Sequence, residues 1–189
     1  MRRIGETGGS GLQWIQPDFS GLYQVILEQE VLATLRTAPG QRGLEGLGEA
    51  AEGSWAFASK GLFRRYTEIA SGGAEVGRYR ASANGEEGTV ELPGGSARYR
   101  WARLEQPRSW RFSNLGRSAL LEFLAPPRTD VSSRAISARV EVLPEALAMA
   151  ELPLLVLLCG FLMLRGDGGP VLEFEDTEQK LGVSDIYGI

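Results

Sequence analysis

From Leu22 to Leu143 the chain alternates short apolar runs with glycine-, proline- and asparagine-containing breaks, and no helical period competes with them. Alternation is clearest in ARYRWAR, residues 97–103. There Arg98 and Arg100 fall on one face of a strand while Tyr99 and Trp101 fall on the other. In RAISARVEV, residues 134–142, Ile136, Ala138, Val140 and Val142 oppose Ser137, Arg139 and Glu141 in the same way. LYQVILEQEVLATLR, residues 22–36, reads as a hairpin turning at Glu28-Gln29-Glu30. GSWAFAS and FRRYTEIA read as a second, joined through Lys60-Gly61. EVGRYRAS, EGTVELP, SARYRWARL, SWRFSNL, ALLEFLAP and RAISARVEVLP continue the format. About ten strands result, at the roughly 8–12-residue spacing of a sandwich or barrel. The glycine-rich segment 38–53, APGQRGLEGLGEAAEG, reads as a loop. Residues 1–20 are polar and contain several glycines, which predicts a flexible lead-in.

The pattern then changes abruptly. ELPLLVLLCGFLMLR, residues 151–165, is apolar on every face. As a helix rising about 1.5 Å per residue, Leu152 to Leu164 covers roughly 20 Å. A bilayer core is about 30 Å thick and takes about 20 apolar residues. Extension backwards meets Glu151 and Glu145, and a carboxylate at mid-span costs about 2.5–3.5 kcal/mol. Extension forwards meets Arg165 and then Gly166-Asp167-Gly168-Gly169-Pro170, which ends a helix. Pro153 suits a first turn, Glu151 the positive helix end and Arg165 the negative one. A helix without a polar face has to be surrounded, and the half-buried strands need their inner face covered. The two requirements meet in a mostly β fold: an antiparallel closed barrel of about 10–12 strands around one hydrophobic central helix, 151–165. The competing expectation is a bilayer insertion of residues 144–164.

Composition narrows the chemistry. The chain has 189 residues, enough for one domain with a sizeable core. It contains no histidine, which removes histidine-ligated metals and the usual serine or cysteine nucleophile–base pairs. Its one cysteine, Cys159, sits inside the apolar run and reads as a small buried hydrophobe. MRRIGETGGSGLQ has no apolar run after its arginines, so no secretory signal is predicted and a cytoplasmic location is expected. The net charge is −4, and the segment from Gly166 on carries −5 of it, with six acidic residues against Lys180. Residues 166–189 are therefore expected to form an acidic, disordered tail. Its apolar end, VSDIYGI, could serve as a strand-adding peptide for a protein partner.

About ten antiparallel strands followed by one wholly apolar helix resembles the tubby C-terminal-like fold, shared with the LURP-one-related proteins and phospholipid scramblases. GSWAFASKGLFRRYTEI, ARYRW and ELPLLVLLCGFLMLR also look like a bacterial branch of that superfamily. The resemblance covers about residues 20–165. It implies a barrel of about twelve strands enclosing the helix, and a connection to phosphoinositides or membranes. Clustered acylated cysteines and a calcium-binding segment, as scramblases are described, have no counterpart here, so scramblase-like activity is not expected.

The middle strands carry Arg64, Arg65, Arg78, Arg80, Arg98, Arg100 and Arg103. Guanidinium groups donate bidentate hydrogen bonds to phosphate, and anionic membranes attract them at about 1 kcal/mol each. If neighbouring strands align them on the outer face, Arg64, Arg65, Arg98 and Arg100 form an anion-binding patch. The bland alternative pairs these arginines with Glu68, Glu75, Glu86, Glu87 and Glu91 as a solvated surface. Nucleic-acid binding is not expected, because Tyr99 and Trp101 face away from Arg98 and Arg100. Residues 43–53 lack the spacing of a nucleotide cradle, and no carboxylate pair is specified for acid–base work. The expectation is a non-enzymatic binding or scaffold protein in three parts, 1–20, 21–165 and 166–189. Its ligand is an anionic lipid or phosphate-bearing molecule, it needs no cofactor or metal, and it lies in the cytoplasm or peripherally at a membrane. An enzyme using carboxylates is the remaining alternative.

Overall fold

A computed structural model describes residues 1–18, 20–40, 43–60, 66–83, 85–93, 97–105, 108–125 and 138–165. Twelve strands form in chain order. β1 (Leu12–Ile15), β2 (Leu22–Leu27), β3 (Glu30–Gly40) and β4 (Gly43–Ala50) come first. β5 (Gly53–Lys60), β6 (Tyr66–Ser71), β7 (Ala74–Ala81) and β8 (Glu87–Glu91) follow. β9 (Arg98–Glu105), β10 (Arg108–Asn114), β11 (Ala119–Leu124) and β12 (Ala138–Val142) complete the set. Each pairs antiparallel with its neighbour in sequence, and β1 also pairs with β12, which closes the barrel. Helix α1 (Leu152–Arg165) follows every strand and occupies the interior. Residues Leu152 to Met163 are all buried.

The alternation read from the sequence is the alternation of the wall. Tyr99 and Trp101 point inward while Arg98 and Arg100 stay outside. Ala138, Val140 and Val142 point inward, with Arg139 and Glu141 outside; Ile136 and Ser137 lie outside the described residues. Glu28 and Gln29 form the expected tight connection, since Leu27 pairs directly with Glu30.

Two expectations are corrected. Residues 1–18 are not a free lead-in. Ile4, Leu12 and Trp14 are fully buried, and β1 is the strand that joins the two ends of the sheet. Trp14 stacks on Tyr23 at 5.6 Å and meets Phe123 edge-on at 5.6 Å, so apolar burial holds this segment. The glycine-rich segment is largely strand: β4 and the start of β5 fall within it. Its central inward positions are Gly46 and Gly48, between Leu44 and Ala50. A Cβ there would lie 2.8 Å from Phe161 and 2.9 Å from Leu157 respectively. The absent side chains let the helix lie close to the wall, and their absence hid the two-residue alternation.

No helix among the described residues is long and apolar enough to cross a bilayer. The segment 144–164, expected in one alternative to insert in a bilayer, lies partly in a short turn at Pro144–Ala146 and otherwise leads into and forms the buried helix. The tail, 166–189, lies outside the described residues.

Candidate functional site

The outer face of the barrel carries charge in pairs, some across neighbouring strands and some within one strand. Register places Arg98 opposite Glu91, and Arg98 Nη2 lies 3.5 Å from its carboxylate. Glu91 also meets Arg80 at 3.7 Å. Arg100 pairs with Glu87, Arg78 with Glu75, and Lys60 with Glu68. Farther round, both oxygens of Glu122 are occupied: Ser109 Oγ donates to one at 2.5 Å and Arg111 Nη2 to the other at 2.9 Å. Arg139 meets Glu141 at 3.1 Å. This is the reverse of a membrane-spanning barrel, which turns an apolar band outward and a polar lumen inward.

Arg98 and Arg100 therefore do share the outer face, as expected, but each already faces a carboxylate. An anion arriving there has to displace Glu91 and Glu87 or bind beside them. Exposed pairs of this kind contribute only about 0–1 kcal/mol, so displacement is not prohibitive. Arg64 and Arg65 lie outside the described residues.

Parity along β9 sends a different arginine inward. Arg103 is an odd number of positions from Arg100, so it shares the face of Tyr99 and Trp101. β9 runs toward the end of the barrel where α1 terminates, and β10 starts back from that same end. Arg103 pairs in register with Trp110, which is also buried, and Arg108 pairs with Glu105. Arg108 consequently faces inward too, with its guanidinium over the Trp110 ring at 5.5 Å from the centroid.

Arg103 differs from the girdle arginines. Its Nε is buried without a hydrogen-bond partner, and no carboxylate among the described residues pairs with its side chain. The side chain as a whole remains half-buried. Burying part of a guanidinium without a counter-charge is unfavourable, because the lost water contacts are not replaced.

Arg165, the last residue of α1, occupies the same end. Its Nη1 donates to Thr67 Oγ1, and its guanidinium lies 5.7 Å from the Tyr79 ring centroid. Tyr79 packs edge-on against Trp101 at 5.9 Å, one inward position below Arg103. Burial pushes the Tyr79 phenol well above its ordinary range. At the opposite end the chain covers the barrel itself, with Ile4 buried under the turn Ile4–Thr7 and Ala146 buried under Pro144–Ala146. One end is thus capped by apolar chain, and among the described residues the other holds Arg103, Arg108 and Arg165.

Cys159 is buried, and its Sγ donates to the Trp110 carbonyl at 3.9 Å. Desolvation pushes its thiol pKa far up, so it is not a thiolate nucleophile at neutral pH. Comparison of the chain with protein-family models, with curated proteins and with solved structures gives no match.

Proposed function

We propose that this protein is a non-enzymatic binding protein for an anionic, phosphate-bearing ligand, either a lipid headgroup or a small molecule. The observation that carries this reading is the helix-filled barrel. With α1 in the lumen, recognition is left to the outer face and the rims, where the polar groups are predominantly guanidinium and carboxylate. Guanidinium forks match phosphate oxygens in geometry and charge. The order of twelve strands followed by one apolar helix supports a tubby-like architecture, and with it a cytoplasmic protein that meets membranes peripherally.

Liposome flotation without detergent tests the reading. The chain is expected to float with anionic vesicles at low salt, to release at high salt, and to ignore zwitterionic vesicles. Replacing Arg64, Arg65, Arg98 and Arg100 together by Gln is expected to weaken flotation of a still-folded barrel. Flotation with both vesicle types regardless of salt would instead indicate apolar insertion. Failure to bind either anionic vesicles or a soluble phosphate would leave the anion reading without support.

A further inference from the structure

We infer a specific oxyanion site at the end of the barrel where α1 terminates, with Arg103 as its primary donor and Arg108 as its flank. The inference rests on the anion-binding reading above and moves its centre from the outer girdle to the barrel mouth. The ligand class is a tetrahedral phosphate group, free or as a lipid phosphomonoester.

Three observations converge on it. Arg103 faces inward, and its Nε is buried without a partner while the girdle arginines Arg78, Arg80, Arg98, Arg100, Arg111 and Arg139 each face a carboxylate. Arg108 lies diagonally across the β9–β10 pair on the same face, within reach of the same ligand. Its stacking on Trp110 fixes the guanidinium plane, so less freedom is lost when an oxyanion binds.

Among the described residues of β9 and β10, the carboxylate on this face is Glu105, which sits directly opposite Arg108 and is exposed, so water screens it. Arg165 is held by Thr67 and Tyr79 and adds positive charge at the same end. The α1 carbonyl end works against an anion, and the Arg165 charge offsets it. A half-buried guanidinium whose Nε has no hydrogen-bond partner, and which meets no carboxylate among the described residues, is costly by itself and becomes favourable when a phosphate oxygen accepts from it. Sites are commonly stabilised less than the fold allows in this way.

The test is a titration of the full chain with inorganic phosphate, followed by calorimetry, together with flotation on phosphatidylcholine vesicles with and without phosphatidic acid. Arg103→Gln is expected to weaken phosphate binding by about tenfold or more while leaving the melting temperature unchanged or higher. The double variant Arg98→Gln/Arg100→Gln, on the outer girdle, is expected to lose less phosphate binding than Arg103→Gln. Arg103→Lys retains the charge without the fork, guards against a folding defect, and is expected to fall between the parent and Arg103→Gln.

Binding by the parent to free phosphate alone, or to phosphatidic acid vesicles alone, with loss in Arg103→Gln, supports the site and identifies the source of the group. Loss in the Arg98/Arg100 double variant with full binding in the Arg103 variants overturns the mouth site and keeps the anion reading. A parent that binds neither probe overturns both.

Discussion

Gly160 is where a single hydrogen atom decides the packing of the core. A Cβ at this position would stand 2.3 Å from the Trp14 indole. Alanine is the better helix former by about 1 kcal/mol, but that gain is smaller than the clash it creates. Trp14 cannot step aside, because Tyr23 stacks on it and Phe123 meets its edge. Gly160→Ala is therefore expected to destabilise the fold by about 1–3 kcal/mol, read as a lower urea midpoint with an unchanged slope. Arg103 teaches the complementary point. Its inward direction was already present in the sequence, because it is an odd step from Arg100 and an even step from Trp101. Grouping it with the other arginines of the middle strands overlooked that parity. That its Nε finds no hydrogen-bond partner, and its side chain no carboxylate among the described residues, was not legible, since it depends on which residues the fold brings beside β9.

At the scale of elements, α1 and the wall define each other. The helix has no polar stripe, so nothing in its own sequence specifies a direction of packing, and the barrel surrounds it instead. Leu157 makes the dependence measurable. It is fully buried, and β4 reduces to Gly48 to receive it. Leu157→Asp places an unpaired carboxylate there and is expected to abolish folding of the whole barrel rather than release a folded shell. Circular dichroism and gel filtration of the variant check this; recovery of a folded, soluble shell would contradict the central position of the helix.

The same pair of elements marks where sequence reading succeeds and fails. Alternation in ARYRWAR and SARVEV is legible because large apolar and charged residues take turns. β4 is illegible because its central inward positions are glycines, whose missing bulk is supplied by Phe161 and Leu157 from more than 100 residues away in the chain. β1 is illegible for a related reason: LQWI offers four residues, and its significance lies in pairing with β12 at the far end of the sheet.

At the scale of the molecule, stability couples to alkaline pH through the core. Burial raises the Cys159 thiol above its ordinary 9.0 and the Tyr79 phenol above its ordinary 10.0. The folded chain then keeps protons that the unfolded chain surrenders. These groups leave stability unaffected below about pH 9, and stability declines as pH climbs past the unfolded values. Thermal melts between about pH 8 and pH 11 are expected to show a falling midpoint. Cys159→Ala is expected to make that fall shallower, and an equal slope in both proteins would remove Cys159 as a contributor.

The position of α1 after all twelve strands has a consequence for how the protein is made. A ribosome adds roughly 5–20 residues per second, so the wall emerges over many seconds before its filling exists. Until Leu152–Arg165 leaves the exit tunnel, the inward side chains of the strands have nothing to pack against, and β12 has only just become available to meet β1. A chain interrupted anywhere before the helix is a wall without contents, open to chaperones and proteases. Arrival of the helix is thereby written into the fold as a condition for the wall to survive its own synthesis.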